Sequence, residues 1–363
     1  MVRALLFKSF LIACFVMPAM TSIAQDEVEK EILKTYPIDA DGTVSIENKY
    51  GDIEIIGWEK DFVEIKIEVI VKGKNEDRIE TLLGRIQPDI TARSSFINIE
   101  TDFTEEKRNF FTNLFRTVTA DFNRSNLDIN YLIRLPSKVR LEIINKFGDV
   151  LINDYEGRMD VELEYGDLRI LGAVDDARVD MKFGKFHTSN EFTGRLIIKN
   201  GEVDIQKSDY LSLDASGSEI KIESINKLVL ISNKDDIEVE KVNSISGNIR
   251  FSDIEIEKAG EMLQLDLHYG SVTANSFSLN HPTILLNGNS SNMTINVEGI
   301  SFALDATLIE GQMRLPKTVA NLESNMIDEK EKKRQVTATY GKDQKGSMKI
   351  IGKKGDIFLK END

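Results

Sequence analysis

Cysteine is nearly absent from this 363-residue chain, Cys14 being the only one, so no disulfide framework holds it together. Histidine is almost as scarce: His187, His268 and His281 are the three, none at metal-ligand spacing, and they read as surface or turn residues. No H-E-x-x-H, G-x-S-x-G or phosphate-binding glycine loop occurs. Aromatic residues make up 7 % of the chain and Trp58 is the sole tryptophan, which argues against an open carbohydrate-binding cleft lined by indole and phenol rings. No apolar run beyond the first residues is long enough for a transmembrane helix. No catalytic, cofactor-binding or metal-binding residue is assigned from the sequence, and no cofactor is expected.

What the chain does contain is repetition. The phrase N-K-F-G-D-V-L-I at 145–152 returns as E-Y-G-D-L-R-I at 164–170, K-F-G-K-F-H-T at 182–188 and N-G-E-V-D-I at 200–205. It continues as K-D-D-I-E-V at 234–239, F-S-D-I-E-I at 251–256 and Y-G-S-V-T-A at 269–274. The small or acidic residue heading each copy falls at Gly148, Gly166, Gly184, Gly201, Ser218, Asp235, Ser252 and Gly270, a period of 17 or 18 residues, with looser copies at Ser291 and Gly311. A second apolar pair lies nine residues upstream in most copies, as at Leu141 and Ile143, Met159 and Val161, and Leu228 and Leu230. Each unit therefore consists of two half-rungs in which apolar and polar residues alternate, the pattern of a strand with one buried face.

A half-rung this short holds a strand of about five residues and a tight turn of about four, with no room for a helix of ordinary length. The fold class expected is all-β: a parallel β-solenoid, or β-helix, with two-strand rungs of about 18 residues. At about 4.8 Å per rung, ten rungs make a rod roughly 48 Å long. An up-and-down barrel or sandwich also gives evenly spaced short strands; the solenoid is preferred because the half-rungs stay in phase over many copies. In this register Val203 points inward, stacked between Leu168 or Phe186 on one side and Ile220 on the other, and Asp204 points outward.

The outward position of the Gly-led strand reads Leu151, Arg169, His187, Asp204, Lys221, Glu238, Glu255 and Thr273; its counterpart reads Glu142, Asp160, Arg178, Arg195, Ser212, Val229, Ser246, Gln264 and Leu285. Both columns mix signs, as a solvated face does, and neither forms a carboxylate ladder for calcium. Asp235-Asp236 and the many Gly-Asp pairs sit at corners of the repeat, where acidic side chains cap backbone groups.

Four segments follow from these patterns: a signal peptide over 1–24, an N-terminal rung and cap over 25–136, the repeats over 137–316 and C-terminal cap strands over 317–363. Arg3 and Lys8 precede an apolar run ending at Ser22-Ile23-Ala24, a small-residue cleavage site before Gln25. Leu11-Ile12-Ala13-Cys14 also matches a lipoprotein signal, but the apolar run continues past Cys14, which favours cleavage near Gln25. Cleavage there removes Arg3 and Lys8 and no acidic residue, so the net charge moves from −15 to −17. Export is thus expected, to the periplasm, the outer surface or the medium. Such acidity makes nucleic acid an unsuitable partner.

The cap is expected to carry one helix at 75–86, with Ile79, Leu82, Leu83 and Ile86 on one face. An insertion at 104–124 places Phe110, Phe111, Leu114, Phe115 and Val118 on one helical face beside Lys107, Arg108, Arg116 and Arg124. Phe110, Phe111, Leu114, Phe115 and Arg116 are the candidate partner-binding residues if this stripe docks a membrane or a macromolecule. The plainer reading is that it folds back as a covering helix.

The phrases G-T-V-S-I-E-N-K-Y-G-D-I-E-I-I-G-W at 42–58, Y-L-I-R-L-P at 131–136 and the following N-K-F-G-D-V resemble bacterial exported β-strand-repeat domains of unknown function, of the adhesin or auto-transporter adhesin head type. The resemblance spans roughly residues 40–315. It implies a β-helical, non-catalytic protein of the envelope or periplasm that binds an unidentified surface protein or glycan, and it carries no functional residues over. The alternative is a polysaccharide-acting lyase or hydrolase, since β-helices host such enzymes; these commonly use longer rungs with loop insertions, which the central repeats lack.

Overall fold

The computed structural model describes residues 26–73, 89–101 and 127–361, together with Asp77, Ile79, Glu80, Leu83, Ile86 and Pro88. The leader at 1–24, with Cys14, and the insertion at 104–124 lie outside the described residues. The strands in the N-terminal part are β1 (Asp26–Pro37), β2 (Thr43–Lys49), β3 (Ile53–Trp58), β4 (Phe62–Gly73), β5 (Asp89–Arg93), β6 (Phe96–Glu100) and β7 (Leu127–Pro136). The repeats supply β8 (Arg140–Lys146), β9 (Val150–Asn153), β10 (Met159–Glu164), β11 (Leu168–Ile170), β12 (Val174–Lys182), β13 (Lys185–Lys199), β14 (Glu202–Ser216), β15 (Glu219–Asn233), β16 (Asp236–Arg250) and β17 (Asp253–His268). After them come β18 (Ser271–Ala274), β19 (Thr283–Asn289), β20 (Asn292–Asn296), β21 (Phe302–Ile309), β22 (Gln312–Arg314), β23 (Ala320–Asp328), β24 (Lys333–Tyr340), β25 (Gly346–Lys353) and β26 (Asp356–Lys360).

All described elements are strands, and most pair in parallel. Through the repeats each residue lies beside the one a period further on: Phe186 pairs with Val203, Val203 with Ile220, Ile220 with Ile237 and Ile237 with Ile254. Because side chains alternate across a strand, this register stacks apolar residues into continuous inward columns. Val203, Ile205, Leu211, Leu213 and Ala215 are buried in β14, with their counterparts above and below. Both outward columns read from the sequence stand in register, Arg169 beside His187, His187 beside Asp204 and Asp204 beside Lys221.

One local expectation changes. The half-rungs of β13 to β17 are not separated by tight turns on both sides, for each of these strands runs unbroken through 15 or 16 residues. The connecting stretch keeps ladder pairing, as at Lys207 with Ser224 and Ser208 with Ile225, and so needs no turn to satisfy its backbone. It also supplies a third inward column, Ser208, Ile225, Val242 and Ala259, all buried. Only the Gly-led corner is sharp.

The ends are built out of chain order. The rung β2–β3 lies between β8–β9 on one side and β6 and β7 on the other. Beyond β7, β4 and then β1 add antiparallel strands, and β5 does the same beyond β6. At the other end, β25 slots between β19 and β21, and β26 between β20 and β22. The polar stretch beginning near residue 317 forms the antiparallel hairpin β23–β24 on β21, with every residue of β23 exposed.

No complete helix stands among the described elements, although the described residues Asp77, Ile79, Glu80 and Leu83 are helical. The stretch 75–86, expected to be a helix, lies largely outside the described residues; its described members Ile79, Leu83 and Ile86 are buried, and the Lys30 ammonium donates to the carbonyls of Leu83 and Ile86.

Candidate binding ridge

The sharp corner of each rung has a recurring geometry. Tyr50, Phe147, Tyr165, Phe183, Asn200, Lys234, Phe251 and Tyr269 all have left-handed backbone, with φ between 51° and 67°, and Gly217 takes the same place at 66°. Each N–H there donates to the carbonyl of the last strand residue in the next rung: Tyr50 to Lys146, Phe147 to Glu164, Tyr165 to Lys182, Phe183 to Lys199 and Asn200 to Ser216. Bulky residues avoid this backbone region, which costs on the order of 1–3 kcal/mol. Six of these corner positions are nevertheless aromatic.

The rings offset that cost by stacking across rungs. Tyr50 lies on Phe147 at 5.5 Å between centroids, Phe147 on Tyr165 at 5.1 Å and Tyr165 on Phe183 at 4.9 Å, with interplanar angles of 13°, 7° and 6°. Phe251 and Tyr269 form a second stack at 5.1 Å and 5°. Such pairs are each worth about 0.5–1.5 kcal/mol beyond area burial. Tyr165 and Phe183 are open to solvent, at 49 % and 45 %, as are Phe251 and Tyr269 at 57 % and 56 %, while Tyr50 and Phe147 are half-buried. The glycine that follows is a packing requirement: a Cβ on Gly166 would fall on the Gly148 carbonyl, and one on Gly184 on the Gly166 carbonyl.

Lysines border the ladder on the strand side. Lys49, Lys146, Lys182 and Lys199 immediately precede Tyr50, Phe147, Phe183 and Asn200, with Glu164 before Tyr165. Glu164 lies 2.8 Å from Lys182 and 3.4 Å from Lys146, and the Lys182 partner holds its carboxyl below the usual range. The Lys49 ammonium sits 5.2 Å from the Tyr50 ring centroid. On the other side run Asp52, Asp149 and Asp167, each accepting a backbone N–H from the following rung, those of Asp149, Asp167 and Lys185. Corner aspartates thus cap the backbone, as their position in the repeat predicts. A groove of about 430 Å³ lined in part by Asp52, Asp149, Asp167, Lys66 and Arg169 runs beside them.

In later rungs the corner changes chemistry. Ser218, Asp235 and Ser252 take the glycine position and turn inward, all buried. The Asp235 carboxylate accepts from the N–H groups of Ser218 and Asn233 and from the Ser232 hydroxyl, while its own N–H donates to Ser252 Oγ. Burial pushes this carboxyl above the usual aspartate range, with those hydrogen bonds opposing.

The histidines do not converge. His187 Nδ1 lies 2.9 Å from Asp204 one rung on, and His281 pairs with Asp343 at the far end. Among the described residues no three His, Cys, Asp or Glu side chains are grouped to hold a metal ion, and no helix is long and apolar enough to cross a membrane. Phe110, Phe111, Leu114, Phe115 and Arg116, the residues the sequence singles out for a partner, lie outside the described residues. The ring ladder was not among the sequence-derived candidates. Its signal stands in the repeat phrases themselves, where the residue before the corner glycine or serine is aromatic at Tyr50, Phe147, Tyr165, Phe183, Phe251 and Tyr269.

No family model matches the chain, and no curated protein matches it. Among solved structures it is similar to a candidate cell adhesion protein of Clostridium sporogenes, at 13 % identity and a TM-score of 0.22 over 92 % of this chain and 100 % of that one. It is also similar to a candidate lipid-binding protein of Parabacteroides distasonis, at 12 % and 0.34 over 92 % and 97 %. A candidate adhesin of Bacteroides fragilis gives 13 % and 0.29 over 91 % and 97 %. Likeness at this level carries no argument about what the chain binds.

Proposed function

We propose that this chain is an exported, non-catalytic β-solenoid of the cell envelope that holds a macromolecule along its outer surface, in the manner of an adhesin. The solenoid reading rests on parallel pairing between residues one period apart, and export rests on the leader pattern at 1–24. The observation that carries the binding role is the ring ladder Tyr50, Phe147, Tyr165 and Phe183, in which Tyr165 and Phe183 are exposed and Tyr50 and Phe147 half-buried. A run of solvent-facing rings held on a rigid strand framework costs solubility and backbone strain, and such apolar surface marks an interaction site. An extended ladder that, among the described residues, is flanked by an open groove suits an elongated ligand better than a small substrate. The test is incubation of the purified protein with a panel of envelope glycans and surface proteins. Retention without turnover supports the binding reading; release of shortened glycan would replace it with a lyase or hydrolase.

A further inference from the structure

The ring ladder does not offer its faces. Stacked planes 5° to 13° apart cover one another, so what the ladder presents to a partner is largely ring edge. Ring edges carry the positive end of the aromatic quadrupole and attract oxygen acceptors and anions. The residues preceding the rings Tyr50, Phe147 and Phe183 are Lys49, Lys146 and Lys182, and Lys199 precedes Asn200; these lysines pair rung to rung in one column with Glu164 its one acidic member. The side chains of Lys146 and Lys182 remain 44 % and 40 % exposed while both reach Glu164. In a chain of net charge −15, this narrow strip is locally positive and apolar together.

We infer that the strip formed by the ring edges and the lysine column is a docking site for a linear acidic polysaccharide, an inference that rests on the proposed binding role. Three geometric points select that occupant. The strip repeats once per rung, so a chain lying along it meets a ring edge and a column residue at each of three steps of about 4.8 Å, roughly 15 Å in all. Ammonium groups stand on neighbouring rungs in two pairs, Lys49 with Lys146 and Lys182 with Lys199, with Glu164 between the pairs. Carboxylates on adjacent sugars match each pair, and the sugar C–H surface packs on the apolar ridge. Asp52, Asp149 and Asp167 flank the other side of the ridge, with Glu54 and Glu68 further along the same groove. A flat anionic membrane pressed on the ridge would meet those carboxylates, whereas a thin chain on the lysine side avoids them, the acidic groups on its own side being Glu164, which Lys146 and Lys182 already pair, and Glu162 and Asp180 near Lys182. Because the charges on the strip are solvent-exposed, dissolved salt screens them and the interaction weakens as ionic strength rises.

The experiment uses the purified protein with polygalacturonate as probe, dextran as the neutral comparison and phosphatidylserine-containing vesicles as the anionic membrane, read by affinity electrophoresis and sedimentation. Tyr165→Asn with Phe183→Asn removes the exposed rings without forcing the backbone, since Asn200 occupies the same column at φ 53°. Lys146→Gln with Lys182→Gln removes the charges, and Tyr210→Ser, remote from the strip, is the comparison variant; melting curves report whether each folds. The expected result is binding to polygalacturonate and not to dextran, weakened about tenfold or more by either double substitution, unchanged in Tyr210→Ser and reduced by salt. No retardation by polygalacturonate, equal binding by the folded double variants, or preference for the vesicles would each overturn the inference. Cleavage of polygalacturonate that both double variants bind less well would instead overturn the non-catalytic reading and leave the docking strip in place.

Discussion

Tyr165 and Phe183 stack at 4.9 Å with their ring planes 6° apart, although each sits on left-handed backbone at φ 61° and 57°. A conformation that disfavours bulky residues is thus held by the same residues that it strains, because the rung period brings their rings into register. The two terms are of similar size, about 1–3 kcal/mol of strain per residue against about 0.5–1.5 kcal/mol per stacked pair.

From this balance a position effect follows. Tyr165 has a ring on either side and Phe183 on one. Replacing either by Asn relieves similar strain, so Tyr165→Asn should cost about 0.5–1.5 kcal/mol more than Phe183→Asn, the value of one extra stack. Urea unfolding of the two variants measures it, and equal midpoints would show that stacking contributes nothing.

Val203 is buried between Phe186 and Ile220, whereas Asp204 faces out beside His187. Val203→Asp buries an unpaired carboxylate and should destabilise by several kcal/mol. Asp204→Ala removes only a partly exposed pair and should cost about 0.2–1 kcal/mol. Comparable melting shifts would contradict the two-faced register.

Asp235 makes stability pH-dependent in a defined sense. Its carboxyl is held above the aspartate value of 3.8 mainly by burial. A raised folded pKa means the native state binds the proton more tightly than the unfolded chain. The resulting stability is fully present below 3.8 and is lost as pH rises through the raised value. Asp235→Ser, which places the residue of the neighbouring corners at 218 and 252, should remove this component. The stability of the variant relative to the parent should therefore rise across that window and level off above it. A constant difference from pH 3 to 7, each pH being about where the flanking carboxylates titrate or have finished, would refute the assignment.

The inserted final rung gives a prediction about cooperativity. Met348, Ile350, Ile357 and Leu359 are buried between strands that precede them in sequence. Ending the chain after Tyr340 would leave β19 and β20 without their neighbours on one side and detach β21 and β22. Hydrogen exchange should then show loss of protection from about residue 283 onward, with the earlier rungs retained. Because β24 still pairs with β21 in the shortened chain, the slot is read in β19 and β20, where retained protection would mean that it closes without its insert.

Gly166→Ala would drive a methyl group into the Gly148 carbonyl of the adjacent rung. Backbone has no rotamer through which to yield, so a loss of several kcal/mol is expected, with the Phe147–Tyr165–Phe183 stack broken. Near-ultraviolet circular dichroism and thermal melting report the two effects.

The periodic part of the fold was legible in the residues. A spacing of 17 or 18 residues, with alternation inside each half, sets both which residues pair and which side faces in, because strand geometry has a period of two and stacking repeats the same side chains. Counting alone turns Val203 inward next to Ile220 with Leu168 or Phe186 on its other side, and the register places Phe186 there. The candidate site stands in the same phrases, yet a composition of 7 % aromatic says little about clustering, and only the left-handed corner reveals that residues 18 positions apart put their rings face to face. What the order of residues did not disclose is where non-consecutive rungs sit. Nothing in 346–360 or 43–58 distinguishes an end from an inserted position, since every rung offers the same hydrogen bonds and apolar columns to its neighbours. The insertion of β25–β26 between β19–β20 and β21–β22, and of β2–β3 between β8–β9 and β6–β7, was decided by tertiary structure. Identical edges are interchangeable by local rules, and only the packing of the intervening cap strands selects among them.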